Sequence, residues 1–257
     1  GKFRQLNVVS TGKIIPFYVN AFCEAPDGTI VFSTSGRGIW KITDVDKVQS
    51  IYPGADAGQF VTQLLFDKKG ILWCVSEKRG IASFSPMKPN NFDGLKLLKE
   101  YHIADNFSFA SMCRDKADNI YVGASNGGIY RMDSHRKGFT LCPASSSFRI
   151  ISMLVRPDNN LYLGTNGSGL YVYNPVTGYS QPTKVTGHEV NIAKTKVSSI
   201  FQDKTHNLWL GLFSKGVFLQ PPHSYTFNCL GEQQANGNSI GETCVLTVHR
   251  QTDGTLW

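Results

Sequence analysis

Short apolar runs closed by polar turns recur along this chain. Val61–Phe66, Phe109–Arg114, Ile150–Val155 and Val197–Gln202 are typical, and each mixes small with apolar residues rather than alternating strictly. That pattern suits strands covered on both faces. A tight turn follows each run, as in Pro26-Asp27-Gly28-Thr29 or Asp203-Lys204-Thr205-His206-Asn207, and then a second apolar run. The second runs begin at Ile30, Leu72, Ile120, Leu161 and Leu208, and Leu256 begins another. Eight residues after each of the first five stands a glycine (Gly38, Gly80, Gly128, Gly169, Gly216) that opens a third strand. A variable fourth segment returns, as in Lys96–Tyr101, Phe139–Cys142 and Thr226–Leu230.

The leading residues of the second runs are 42, 48, 41, 47 and 48 positions apart. Four strands in a period of about 40–50 residues predict propeller blades. The fold class expected is therefore all-β: a β-propeller of four-stranded antiparallel blades, five complete and a sixth begun. Blades start near residues 20, 61, 109, 150, 197 and 244, within one domain, or part of one, spanning 1–257. Residues 1–19 form an approach segment in which Phe3–Val9 alternates as a closing strand. Because the last repeat stops inside a strand, the chain is expected to be a fragment of a larger propeller, with seven blades one candidate size. Residues 87–94 and 231–241 read as polar insertions at blade joins.

Three positions inside the repeat carry physical demands. Two before each second run stand Gly28, Gly70, Asp118, Asn159, His206 and Gly254, residue types that tolerate positive φ. A type I turn with a bulged left-handed residue is the hairpin that asks for them, so His206 reads as a turn residue rather than a metal ligand or base. One after each leading residue stand Val31, Trp73, Tyr121, Tyr162, Trp209 and Trp257, an aromatic stripe expected to wedge sheet against sheet. The recurring glycine implies positive φ or a backbone too close for a Cβ.

Composition changes the picture little. Apolar residues make up 41% and charged residues 18%, as in a globular domain, with 25 glycines and 12% aromatics. The formal charge is +7 but dispersed, so no nucleic-acid partner is expected. Apolar runs are too short to span a bilayer, so any membrane attachment would come from C-terminal parts beyond this chain. No charged-then-apolar leader follows Gly1, so any export signal is expected to have been removed or to lie outside this sequence. Cys23, Cys74, Cys113, Cys142, Cys229 and Cys244 include no C-x-x-C pair, and those inside strand patterns read as buried thiols.

Candidate chemistry concentrates at the turn between second and third strands, which the repeat should array on one face. Its members include Arg37, Lys78, Arg79, Asn126, Asn166, Ser168 and Lys215, with Glu77 the lone acid. Such a face would attract an anionic ligand, a sulfated or uronic-acid sugar, through charge-assisted hydrogen bonds; the plain alternative is a solvated loop face. Nucleophile elbows, paired metal-ligand histidines and phosphate-binding glycine loops are missing from the sequence. The six histidines are scattered, and His188-Glu189 is the one adjacent acid–base pair. No catalytic residue, metal or cofactor is expected.

The recurring phrase resembles the two-component regulator propeller repeat. Phe201-Gln202-Asp203, then Asn207-Leu208-Trp209-Leu210-Gly211, then Gly216-Val217-Phe218 carry the likeness most fully, with Leu161-Tyr162-Leu163-Gly164 and Gly169-Leu170-Tyr171 next. Ser33 and Val75 depart from the strand-end glycine, and Val31 from the aromatic. The resemblance implies the periplasmic sensor region of a bacterial hybrid two-component regulator that responds to polysaccharides. It implies a non-enzymatic module binding an oligosaccharide or polysaccharide fragment, with a histidine kinase elsewhere in the protein. A propeller lyase or hydrolase and a protein-interaction or homodimerisation scaffold are the alternative classes, which fold alone cannot separate.

Overall fold

A computed structural model describes residues 18–44, 47–53, 60–76, 80–89, 91–103, 108–183 and 192–222, and the backbone of three further short strands. Its contacts divide the chain into two compact units, residues 1–120 with 132–139 and residues 121–131 with 140–257. Among the described residues stand five four-stranded antiparallel sheets, each a meander in chain order.

The first unit opens on a hairpin of β1 (Val8–Ser10) and β2 (Lys13–Ile15). The predicted strand over Phe3–Val9 lies almost wholly outside the described residues. Sheet one is β3 (Val19–Glu24), β4 (Ile30–Thr34), β5 (Gly38–Asp44) and β6 (Lys47–Tyr52). Sheet two is β7 (Val61–Phe66), β8 (Leu72–Ser76), β9 (Gly80–Lys88) and β10 (Asn91–Tyr101). Here one expectation is corrected: residues 87–94 are not an insertion at a blade join but the hairpin between β9 and β10, where Asn91 pairs Lys88. Phe92 and Leu95 are buried, and Phe92 meets Phe66 edge-on at 5.1 Å, so packing outweighs the polar local composition.

Sheet three is β11 (Phe109–Arg114), β12 (Ile120–Ala124), β13 (Ile129–Met132) and β14 (Phe139–Leu141). Sheet four is β15 (Ile150–Val155), β16 (Leu161–Thr165), β17 (Leu170–Tyr173) and β18 (Ser180–Pro182). Sheet five is β19 (Val197–Gln202), β20 (Leu208–Leu212), β21 (Gly216–Gln220) and β22 (Asn228–Leu230). The expected sixth repeat and the 231–241 insertion lie outside the described residues.

Each unit has its own core between sheets. In the first, Val31, Ile39, Val61, Leu72, Cys74 and Phe84 are fully buried. Ser33, standing where a glycine was expected, donates its hydroxyl to the Val61 carbonyl at 2.9 Å and so ties β4 to the head of β7. Trp73 stacks on Tyr101 at 5.5 Å, and Phe139 meets both rings edge-on, as the aromatic stripe predicted. In the second unit Val197, Leu210, Leu212 and Phe218 are fully buried, and Ser152 donates to the Val197 carbonyl at 2.8 Å. At the β16 strand end, a Cβ on Gly164 would stand 2.1 Å from that Ser152 hydroxyl. Cys74 and Cys113 are buried free thiols, as expected; Cys142 is buried as well, and Cys23, expected to be buried, is half-buried.

The turn between first and second strands has the predicted geometry. Gly28, Gly70, Asp118, Asn159 and His206 have φ of 84°, 74°, 70°, 63° and 64°. In three sheets an aspartate builds this turn. Asp203 Oδ1 accepts the amides of Thr205 and Asn207 at 2.9 Å each, and Oδ2 accepts the Trp209 indole N–H at 3.1 Å. Asp67 takes the amides of Lys69 and Ile71 and the Trp73 indole in the same way. The tryptophan six residues on is therefore both a wedge and a donor that satisfies a buried carboxylate. Burial pushes Asp203 up, but the bonds from Thr205, Trp209 and Asn207 prevail and hold it well below the usual carboxylate range.

The folded Asp203 carboxyl is depressed, so its stabilisation is fully present above the unfolded value of about 3.9 and is lost as pH falls through the folded value. Asp203→Asn should flatten that acid limb in denaturant titrations at stepped pH, and Trp209→Phe should cost about 1 kcal/mol by removing one of the two donors to Oδ2, which keeps the Asn207 side-chain amide at 2.8 Å. Gly169→Ala should destabilise more than Gly167→Ala, by roughly 1–3 kcal/mol. Both glycines have positive φ, but a Cβ at 169 stands 2.5 Å from the Ile192 carbonyl oxygen and one at 167 meets nothing within 4 Å. Denaturant midpoints of the two variants check the difference.

Candidate functional site

The turn between second and third strands is where candidate ligand residues were expected. In the first unit Arg37 is exposed on the β4–β5 turn, where its carbonyl accepts the Trp40 indole N–H at 2.7 Å. Lys78 and Arg79 lie outside the described residues. In the second unit Asn126, Asn166, Ser168 and Lys215 are all exposed, on the β12–β13, β16–β17 and β20–β21 turns.

Backbone hydrogen bonds bring these last four to one edge. The connector ahead of β15 runs between two turns: the Gly128 amide donates to the Phe148 carbonyl at 2.9 Å, and the Asn166 amide to the Arg149 carbonyl at 3.0 Å. The connector ahead of β19, which holds the 3-10 turn Ile192–Lys194, repeats the arrangement. The Gly169 amide donates to the Thr195 carbonyl at 3.1 Å, and the Phe213 amide to the Lys196 carbonyl at 3.1 Å. Three successive turns are thus stitched through two connectors. The recurring glycine is what permits it. At Gly128 and Gly169 φ is 89° and 78°, and a Cβ would stand 2.6 Å from Leu141 Cδ1 and 2.5 Å from the Ile192 carbonyl oxygen.

The connectors also deliver residues that were not anticipated. Arg149 and Lys194 are exposed, and Lys196 is half-exposed with its ammonium 4.8 Å above the Phe213 ring. Phe213 itself is 45% exposed, an aromatic face held at the tip of a polar turn. The signal was present in the repeat: Arg149 and Lys196 each stand one residue before a first strand, at Ile150 and Val197. The repeat locates that position but does not say that the connector lies against the neighbouring turns.

Electrostatically this edge is one-sided. Residues 125–128, 143–149, 166–168, 192–196 and 213–215 carry Arg149, Lys194, Lys196 and Lys215 and no Asp or Glu. Ser146, Ser168 and Ser214 add hydroxyls, and Asn126 and Asn166 add amides. An arrangement of exposed cations, hydroxyls, amides and one aromatic face can hold an anionic polar ligand by charge-assisted hydrogen bonds and ring contact. Nowhere among the described residues do three or more His, Cys, Asp or Glu side chains gather as metal ligands would. No helix among them is long and apolar enough to cross a membrane. His206, at the other end of sheet five, sits in its turn as predicted.

Stability should be insensitive to these tips. Lys194→Ala and Lys215→Ala should each leave the denaturant midpoint equivalent to within about 0.5 kcal/mol of the parent, as for surface substitutions generally.

No family model matches the sequence, and no curated protein matches it either. Solved structures do match in shape. One is the extracellular domain of a protein named as a hybrid two-component system of B. thetaiotaomicron: TM-score 0.57, 16% identity, covering 98% of this chain and 38% of that one. Another is a catalytically inactive virginiamycin B lyase of Staphylococcus aureus with quinupristin: TM-score 0.69, 12% identity, covering 99% of this chain and 80% of that one. A third is PorZ, a surface component of the type-IX secretion system of Porphyromonas gingivalis: TM-score 0.64, 16% identity, covering 91% of this chain and 36% of that one. The chain thus spans well under half of the two-component domain it matches. Five meander sheets of four strands, with these likenesses, make the fold a β-propeller.

Proposed function

We propose that this chain is the extracytoplasmic ligand-binding part of a two-component signalling protein, and that its second unit binds an anionic saccharide at the edge formed by the β12–β13, β16–β17 and β20–β21 turns, without turnover. The observation that carries the reading is the stitched edge: hydrogen-bonded connectors place Arg149, Lys196 and Lys215 beside Asn166, Ser168 and Phe213, with no carboxylate among them. The likeness in fold to the extracellular domain of a hybrid two-component system supports the signalling context. Arg37 holds the equivalent position on the first unit's β4–β5 turn. Signalling itself would follow only from a difference in ligand affinity between two arrangements of the full-length protein.

Titration with a sulfated or uronic oligosaccharide tests this. The parent should bind it and gain thermal stability on saturation. Arg149→Ala with Lys215→Ala should weaken binding at least about tenfold, the scale of one or two charge-assisted hydrogen bonds, and should lessen its salt dependence. Unchanged affinity in that variant, or equal binding of the neutral oligosaccharide, overturns the site. Turnover of the saccharide would instead favour a lyase, the activity named for a neighbour of the same fold.

A further inference from the structure

The opposite ends of sheets four and five hold a second feature. An open cleft of about 410 Å³ lies between the β15–β16 turn and the end of sheet five, lined by Arg156, Tyr162, Gln202, His206, Gln220 and Pro221 among others. That volume falls in the roughly 300–1,000 Å³ range of small-molecule sites.

At this cleft sheet four departs from the aspartate rule. Asp67, Asp115 and Asp203 occupy one position of the repeat, and Arg156 occupies it in sheet four. The turn is held there by Asp158 instead, whose Oδ1 accepts the Asn160 amide at 3.0 Å. Arg156 is left with no turn to build. Its guanidinium lies over the Tyr162 ring at 4.8 Å. Its Nε is buried and lacks a hydrogen-bond partner, because Asp158 Oδ1, though 3.3 Å away, is out of line. An arginine held over an aromatic ring and only partly paired presents its remaining N–H groups as a fork that matches a carboxylate. Gln202 and Gln220 supply amide donors and acceptors suited to hydroxyls, and Pro221 with Tyr162 supplies an apolar wall for a ring face.

We propose that this cleft binds a hexuronate: a hydroxylated ring whose carboxylate pairs with Arg156 while Gln202 and Gln220 take its hydroxyls. The site is separate from the stitched edge and does not rest on that reading. Asp158 competes with the ligand for the guanidinium, so removing its charge strengthens binding.

Calorimetric titration of the whole chain with D-glucuronate and with D-glucose tests this, in the Arg149→Ala, Lys215→Ala background so that the stitched edge contributes nothing. Glucuronate should bind saturably with millimolar or better affinity and glucose at least tenfold more weakly. Arg156→Gln should lose at least tenfold. Asp158→Asn, which keeps an oxygen for the Asn160 amide, should gain a few-fold. Should Arg156→Gln unfold by circular dichroism, a several-fold loss in Gln220→Ala and the gain in Asp158→Asn carry the test. Absent glucuronate binding, equal affinity for glucose, or folded Arg156→Gln with parental affinity overturns the site.

Discussion

One contact recurs through the second unit and shapes the edge where its turns and connectors meet: a glycine amide at positive φ donating to the carbonyl of the connector that leads into the next sheet. Gly128 to Phe148 and Gly169 to Thr195 are its two instances there. The bond requires backbone to lie on backbone; a Cβ at Gly169 would stand 2.5 Å from the connector's Ile192 carbonyl oxygen, and one at Gly128 2.6 Å from the Leu141 side chain. Turn tips and connectors are therefore placed together, and the cations they carry share an edge because the backbones do. The ligand chemistry proposed for that edge is a consequence of this packing rather than of any motif.

The other end of each sheet obeys a different rule, and its exceptions are instructive. Where an aspartate builds the first turn, a tryptophan or tyrosine follows six residues later, as in Asp67–Trp73, Asp115–Tyr121 and Asp203–Trp209. In sheet two the carboxylate is reinforced from outside. Arg136, at φ 56°, pairs with both Asp67 and Asp118 and lies 5.6 Å from the Trp73 ring. Burial, then the bonds from Trp73 and Arg136, compete at Asp67, and the bonds prevail to hold it below the usual carboxylate range. Sheet one replaces the pair with Ala25 and Val31, both buried, and needs no acceptor. Sheet four replaces it with Arg156 and Tyr162. The two positions change together, as a donor–acceptor pair in sheets two and five, an apolar pair in sheet one and a cation–ring pair in sheet four. Only the last leaves hydrogen-bonding capacity unspent, at Arg156 on the wall of the cleft.

Fold and function are carried by different layers of the same repeat. Strand cores and wedged aromatics recur because every sheet must bury its faces, and the same fold is found in a two-component extracellular domain and in a lyase. The connectors and turn tips are under no such demand and carry the charges.

How much was legible in the residues depends on range. Strand order, the hairpin bulges and the glycine at each third strand came from local demands that repeat, so five copies of one constraint could be compared within a single chain; the positive φ at Asp118, Asn159 and His206 followed from that comparison alone. Residues 87–94 misled because their polar composition hid the burial of Phe92, which only contact with Phe66 reveals. Asn126, Asn166, Ser168 and Lys215 could be placed on their turns from spacing, whereas Arg149, Lys194, Lys196 and Phe213 joined them only through hydrogen bonds between residues 17 to 26 positions apart. The amino-acid sequence by itself determined the repeating unit, because a strand, a turn and a positive-φ residue are decided within a few neighbours. Which charges stand side by side, and that Arg156 faces open space while Asp203 is enclosed, was decided by tertiary packing, because such proximity depends on where distant backbones come to rest.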